Sequence, residues 1–162
     1  MTMATTTNAP SATDRERTRT AWNEIAGGYD SFVTPTHMTL SLQALERANV
    51  TAGMRFLDVA AGSGALGIPA ARLGARVFAT DLSSVMLDRL RARAVSEGLA
   101  NVETRVMDGH ALDLADDTFD VSGSQFGVML FPDLPRAVRE LVRVTKPGGR
   151  VVLVVYGHPS EV

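Results

Sequence analysis

Apolar residues change their spacing along this chain, and the changes mark out its elements. From Arg55 onward, short apolar runs alternate with stretches whose apolar positions recur every three or four residues. The first run, about 55–60, predicts a strand, and a helix follows at about 64–73, where Pro69 falls in or near the first turn. A second run at about 76–80 leads into a helix at about 84–97. That helix is capped by Ser83 or Ser84, closed by Gly98, and striped by Met86, Leu87, Leu90 and Ala94. Two further runs lie at about 102–107 and 119–124. The helix predicted over 134–144 starts behind Asp133, turns Ala137, Val138, Leu141 and Val142 inward, and is stopped by Lys146-Pro147-Gly148-Gly149. The last run, about 150–156, is nearly all valine and reads as a strand covered on both faces.

Strands alternating with helices predict an α/β fold, a Rossmann-like parallel sheet wound on both faces. Upstream of it, two helices are expected. One spans Thr18 to Ala26 and ends near Gly27-Gly28, with Trp22 and Ile25 on one face; the other spans Met38 to Asn49, with Leu42, Leu45 and Ala44 or Ala48 inward. Residues 1–13 are Met, Thr, Ala, Asn, Ser and Pro without periodicity. The organisation expected is therefore a disordered tail over 1–17, N-terminal helices over 18–50, the α/β domain over 51–157, and a cut-off connection over 158–162.

Composition narrows the chemistry. The 162 residues include no cysteine, which excludes disulfides, thiolate catalysis and cysteine metal sites, and the three histidines have no ligand spacing. A net charge of −2 gives no basic footprint for nucleic acid, and Arg89, Arg91 and Arg93 read as one solvated helix face. The tail lacks the basic and apolar regions of a targeting peptide, and the longest apolar run, Val151 to Val155, is far short of a membrane span. The expectation is a soluble, cytoplasmic chain acting on a small molecule, with no nucleic-acid or membrane partner.

The stretch Phe56-Leu57-Asp58-Val59-Ala60-Ala61-Gly62-Ser63-Gly64 runs from a strand into a small-residue turn, and the second strand ends on Asp81. This is how a strand–helix–strand unit builds a nucleoside pocket: the turn admits the ligand to the backbone, and the carboxylate takes ribose hydroxyls. Asp108-Gly109-His110 and Ser124-Gln125-Phe126 fall at the ends of strands three and four, so all these groups converge on one crevice. Asp81 can accept two hydroxyl hydrogen bonds and Leu82 offers an apolar face to a base. Asp108 is placed to accept from an exocyclic amine, and Asp58 either orders the turn or meets a cation.

These segments, with Thr118-Phe119-Asp120 and Lys146-Pro147-Gly148-Gly149, resemble the ordered motifs of class I S-adenosylmethionine-dependent methyltransferases. Among these the chain is similar to the ubiquinone/menaquinone-biosynthesis C-methyltransferase group, the methyltransferase type 11 domain. Trp22 to Asp30 resembles that group's leader. The resemblance implies S-adenosyl-L-methionine as cofactor, S-adenosyl-L-homocysteine as product, and a quinone-like, phenolic or other small acceptor. It places Gly62 and Gly64 against the methionyl part with Tyr29 near it, Asp81 at the ribose and Leu82 against the adenine, and Asp58, Ala60, Met86, Gly109 and His110 are further cofactor-binding candidates. Asp108 would hold the adenine amino group, and Gln125 and Phe126 would lie between cofactor and acceptor. Ala60 replaces a usual glycine, a change that costs little room, and His110 stands where glutamate is common, as a solvated or ring-stacking residue rather than a base. Tyr29, His37 and His110 are the weak candidates for a proton acceptor.

Two alternatives stay open at this point. Gly62-Ser63-Gly64-Ala65-Leu66-Gly67 also matches a dinucleotide fingerprint, so an NAD-dependent oxidoreductase is the rival enzyme, although Asp58 would oppose a pyrophosphate. A non-catalytic cofactor-binding module is the other. Compared with the methyltransferase fold the chain stops after strand five, so a fragment lacking the last two strands is expected, with strand five as an apolar edge open to self-association.

Overall fold

A computed structural model describes residues 11–157. Helix α1 (Ala12–Gly28), a single turn of π-helix (Tyr29–Val33) and α2 (Thr34–Arg47) follow one another without a break. They precede β1 (Arg55–Val59), α3 (Gly67–Arg72), β2 (Arg76–Asp81), α4 (Ser84–Ser96) and β3 (Val102–Val106). The last described elements are β4 (Phe119–Gln125), a short 3₁₀ turn (Val128–Leu130), α5 (Leu134–Val144) and β5 (Thr145–Val154).

The five strands are all parallel and lie in the order β3-β2-β1-β4-β5. The order reverses at β1, whose neighbours are β2 and β4, so a crevice opens beyond the C-terminal ends of these three strands. Alternation along β1 divides the core. Phe56 faces Leu66, Ile68, Leu87 and Leu90 on one side, while Leu57 and Val59 face Met107, Phe119, Leu141 and Val144 on the other. Asp58 points to the first side, toward Gly67 of α3.

Several expectations need correcting. Helix α1 begins at Ala12, so residues 12–17 are helical rather than tail; residues 1–10 lie outside the described ones. Its start is a capping box in which the Ser11 hydroxyl accepts from Asp14 N–H at 3.1 Å and the Asp14 carboxylate receives Ser11 N–H. The α-helix does end at Gly28, near the expected Gly27-Gly28, but the backbone runs straight on into the π turn. A side chain at Gly27 would come within 3.2 Å of the Arg89 guanidinium, so the glycine brings α1 close to α4. Arg89 and Arg93 are not simply a solvated face either, because both pair with Asp30 of the π turn. In α2 Leu45 and Ala48 are buried but Leu42 is exposed, and in α5 Val144 replaces Val142 on the buried side.

Strand β5 starts earlier than expected, at Thr145, and Lys146 to Gly149 bulge out of register between the Phe119 and Val121 pairings. Among the described residues it is the edge of the sheet and is not covered on both faces: Leu153 is 39% exposed. An apolar sequence says that a strand seeks cover, not that the cover is present. Residues 158–162 lie outside the described ones.

Candidate functional site

The crevice at the strand ends is a cavity of about 1080 Å³, solvent at its mouth included. Twelve of the thirteen candidate residues line it: Tyr29, Asp58, Ala60, Gly62, Asp81 and Leu82, with Met86, Asp108, Gly109, His110, Gln125 and Phe126. Gly64 does not. A Cβ there would lie 2.7 Å from Ile68 Cγ1 and 3.0 Å from Leu90 Cγ, so Gly64 serves the packing beneath the turn.

The turn after β1 is held in left-handed backbone, with φ of +55° at Ala60, +53° at Gly62 and +99° at Gly64. Glycine takes that conformation freely, whereas alanine is strained there by about 1–2 kcal/mol. The cost of Ala60 is therefore backbone strain, not room. Asp81, at the tip of β2, steadies the turn: one carboxylate oxygen accepts Gly62 N–H at 2.9 Å and the other Ser83 N–H at 2.8 Å. Burial raises its pKa above the ordinary value, and the N–H groups of Ser83, Gly62 and Leu82 oppose that rise.

Asp58 is fully buried beneath the same turn, and neither carboxyl oxygen has a hydrogen-bond partner. Burial pushes its pKa up to about 8; the Gly67 N–H facing it offsets part of the rise and the charge of Asp81 adds to it. A buried carboxyl without a partner, beside a cavity, is suited to a cation supplied from that cavity.

At the end of β3, Asp108 Oδ1 takes His110 N–H at 2.9 Å and lies 2.7 Å from His110 Nδ1, while Oδ2 faces the Arg15 guanidinium at 3.8 Å. His110 is buried rather than solvated. Its ring packs on Phe131 with centroids 4.7 Å apart, its carbonyl accepts from Arg136 Nε at 2.8 Å, and its Nε2 has no partner.

At the end of β4, Gln125 Nε2 donates to the His37 carbonyl at 2.8 Å, and Gln125 Oε1 lies 2.5 Å from the Ser41 hydroxyl. Buried Thr34 and Ser63 hydroxyls meet at 2.6 Å. Helix α2 is thereby fastened to both the glycine turn and β4. Phe126, at φ +59°, is flanked by the His37 ring at 4.5 Å and the stacked Tyr156 ring at 4.4 Å. Tyr29 packs edge-on to Trp22, and burial, Tyr156 and Asp81 all raise its pKa.

Sequence reasoning missed one wall. Asp14, Arg15, Thr18 and Trp22 of α1 also line the cavity, as do Leu130, Phe131 and Pro132 before α5. The Ser11-x-x-Asp14 capping signature could have announced α1. The lining then carries four carboxyl groups, Asp14, Asp58, Asp81 and Asp108, against a single guanidinium, Arg15. That balance suits hydroxyls, amines and cations and opposes a pyrophosphate.

Residues 57–153 match the methyltransferase domain family over more than half of the chain. The chain belongs to that family. Among relatives, a Mycobacterium tuberculosis protein of no assigned function is 46% identical over 107 residues, which cover 66% of this chain and 39% of the relative. The demethylmenaquinone methyltransferase of Clavibacter sepedonicus is 34% identical over 144 residues, 85% of this chain and 57% of that enzyme. The chain thus spans about half the length of the curated relatives it matches. Among solved structures, the Haemonchus contortus phosphoethanolamine N-methyltransferase 2 in complex with S-adenosyl-L-methionine is 30% identical with a TM-score of 0.68, covering 74% of this chain and 28% of that one. The parallel sheet and its strand-end crevice are those of a methyltransferase domain, Rossmann-like in architecture. Among the described residues no helix is long and apolar enough to cross a membrane.

Proposed function

We propose that this methyltransferase domain binds S-adenosyl-L-methionine in the strand-end cavity and transfers its methyl group to a small aromatic acceptor bearing a hydroxyl, a reduced quinone or phenol. The observation that carries the cofactor reading is the lining itself: four carboxyl groups, one of them buried without a hydrogen-bond partner, around a glycine turn. A cofactor that carries an ammonium and a sulfonium matches such a wall, whereas NAD would set its pyrophosphate against it.

The residues fit the cofactor. Asp81 would accept the ribose hydroxyls with lone pairs its two N–H bonds leave free. Leu82 and Met86 would flank the adenine, and Asp108 would take its amino group. Gly62 would admit the methionyl part to the turn, with Asp58 beneath it as the partner of its ammonium. The bound cofactor supplies an electrophilic methyl group with a good leaving group; the chain supplies alignment and exclusion of water. Gln125 and Phe126 stand at the wall where the acceptor would enter. Similarity to a demethylmenaquinone methyltransferase favours the aromatic acceptor class. The open β5 edge would offer a surface for self-association, and light scattering of the purified chain tests it: a monodisperse monomer counts against that part.

Calorimetric titration with S-adenosyl-L-methionine, S-adenosyl-L-homocysteine and NAD tests the cofactor. Binding of the first two alone is expected, and binding of NAD alone would overturn the reading. Turnover of 1,4-naphthohydroquinone against a non-aromatic amine then tests the acceptor class.

A further inference from the structure

His37 has a hydroxyl at each ring nitrogen. Tyr29 Oη lies 3.5 Å from Nδ1, and Tyr156 Oη lies 3.4 Å from Nε2. The three groups come from separate parts of the fold, the π turn, α2 and the segment past β5, and they meet beside Phe126, which lines the cavity. Tyr29 lines the cavity, with its ring edge 3.8 Å from where a Gly62 side chain would begin. The backbone of His37 is fixed by the Gln125 and Ser41 contacts to its carbonyl, at 2.8 and 3.0 Å, and its ring by Phe126.

We propose that Tyr29 and His37 form the proton-accepting relay for the methyl acceptor, with Tyr29 Oη as the atom that meets the acceptor hydroxyl. The proposal rests on the methyltransferase reading above. In the step, an electron pair of the acceptor forms the bond to the methyl carbon and the carbon–sulfur pair stays on sulfur. The acceptor's hydroxyl proton passes to Tyr29 Oη as Tyr29 passes its own to His37 Nδ1. The imidazolium then releases the Nε2 proton past Tyr156, which is 63% exposed, to water. Charge balances: the sulfonium loses its positive charge and the imidazole gains one.

The relay requires one tautomer, with Nδ1 bare and Nε2 protonated. Among the described residues the titratable groups facing His37 are Tyr29 from the π turn and Tyr156 from the segment past β5. Burial lowers the His37 pKa, which favours the neutral ring. Contacts of 3.4–3.5 Å are long, as catalytic hydrogen bonds often are before substrate closes the site. A proton acceptor of this kind serves a protic nucleophile, and so deepens the assignment of a hydroxyl-bearing acceptor.

Two readouts test the relay. Nitrogen-15 correlation spectra of the imidazole should show His37 as the Nε2–H tautomer, with its pKa displaced in Tyr29→Phe; an Nδ1–H tautomer overturns the relay without any cofactor or acceptor present. With S-adenosyl-L-methionine and 1,4-naphthohydroquinone, His37→Gln should lower kcat at least about tenfold at pH 7. Its affinity for the cofactor should stay within about twofold, and kcat should recover as the pH is raised and the acceptor ionises unaided. Because the hydrogen bonds from Ser41 and Gln125 are accepted by the His37 carbonyl and survive the change, His37→Gln should fold; Tyr29→Phe, with the same expected kcat loss, is the second variant. An unchanged kcat, or a loss that no rise in pH relieves, overturns the proposal. Failure of the unmutated chain to bind S-adenosyl-L-methionine would instead sink the underlying methyltransferase reading, while the tautomer still decides the relay geometry.

Discussion

The carboxylate of Asp81 accepts the N–H of Gly62 at 2.9 Å, so the residue that ends β2 also holds the turn that follows β1. One side chain thereby joins the proposed ribose site to the backbone conformation of the turn. Asp81→Ala removes both. Loss of hydrogen bonds to a charged group costs about 1.5–3 kcal/mol, so cofactor affinity should fall roughly ten- to a hundredfold, with a lowered melting temperature as well. Calorimetry on the folded variant checks this, and unchanged affinity would remove Asp81 from the ribose.

Asp58 makes stability depend on pH in an unusual sense. Its carboxyl would titrate at its ordinary 3.8 in the unfolded chain but at about 8 in the folded one. Below pH 4 both states are protonated and the group costs nothing. As the pH rises toward 8 the unfolded chain ionises while the folded one cannot, and stability falls by about 1.4 kcal/mol per pH unit of that interval. Asp58→Asn removes this dependence. The melting-temperature gain of the variant over the parent should therefore grow between pH 5 and pH 8, by at least about 4 °C. The same variant should bind S-adenosyl-L-methionine more weakly, because an amide cannot neutralise an ammonium. A gain that stays flat with pH would mean that Asp58 is already ionised.

The two glycines of the turn should separate by phenotype. Gly64→Ala drives a Cβ into Ile68 and Leu90 at a φ of +99°, which should cost about 2–4 kcal/mol of stability. Gly62→Ala, with nothing closer than Tyr29 Cε1 at 3.8 Å, should cost less stability but lose more cofactor affinity. Denaturant melts paired with calorimetry distinguish the two. Equal affinity losses in both would return Gly64 to the cavity wall.

The β1–α3–β2–α4 unit and the strand-end aspartates were legible because each rests on a strong local signal: a change of hydrophobic period, a cap, or a carboxylate closing an apolar run. Helix α1 was hidden for the opposite reason. It buries only Ala26, so it has almost no hydrophobic period to read, and its capping box stands among residues whose composition suggests a tail. The π turn needs one residue more per turn and leaves no pattern in residue type, although it is what brings Tyr29 against the turn and near His37. The cover of β5 is decided by topology, and five valines or leucines in a row cannot report it. Nor could residue type alone reveal the strain at Ala60, since alanine is small enough to look harmless.

Helix α1 is attached by few apolar contacts and several polar ones, which should make it the most ligand-sensitive element. Ser83 hydroxyl to Asn23 at 2.6 Å and Arg15 to Asp108 at 3.8 Å tie it across the cavity, while Ile25 is exposed. By contrast α2 buries Thr34, Met38, Ser41 and Leu45. Local opening free energy follows such differences in buried area, so amides of α1 should exchange faster than those of α2 in the free protein. A cofactor seated beneath Asp14, Thr18 and Trp22 adds contacts only to the closed form. Hydrogen exchange should therefore slow across residues 12–28 on addition of S-adenosyl-L-methionine, by a factor that grows with ligand concentration as mass action requires, and change little in α2. If α1 is already as protected as α2 without ligand, it is a fixed wall of the site, and the cofactor must enter past Phe131 and Pro132 instead.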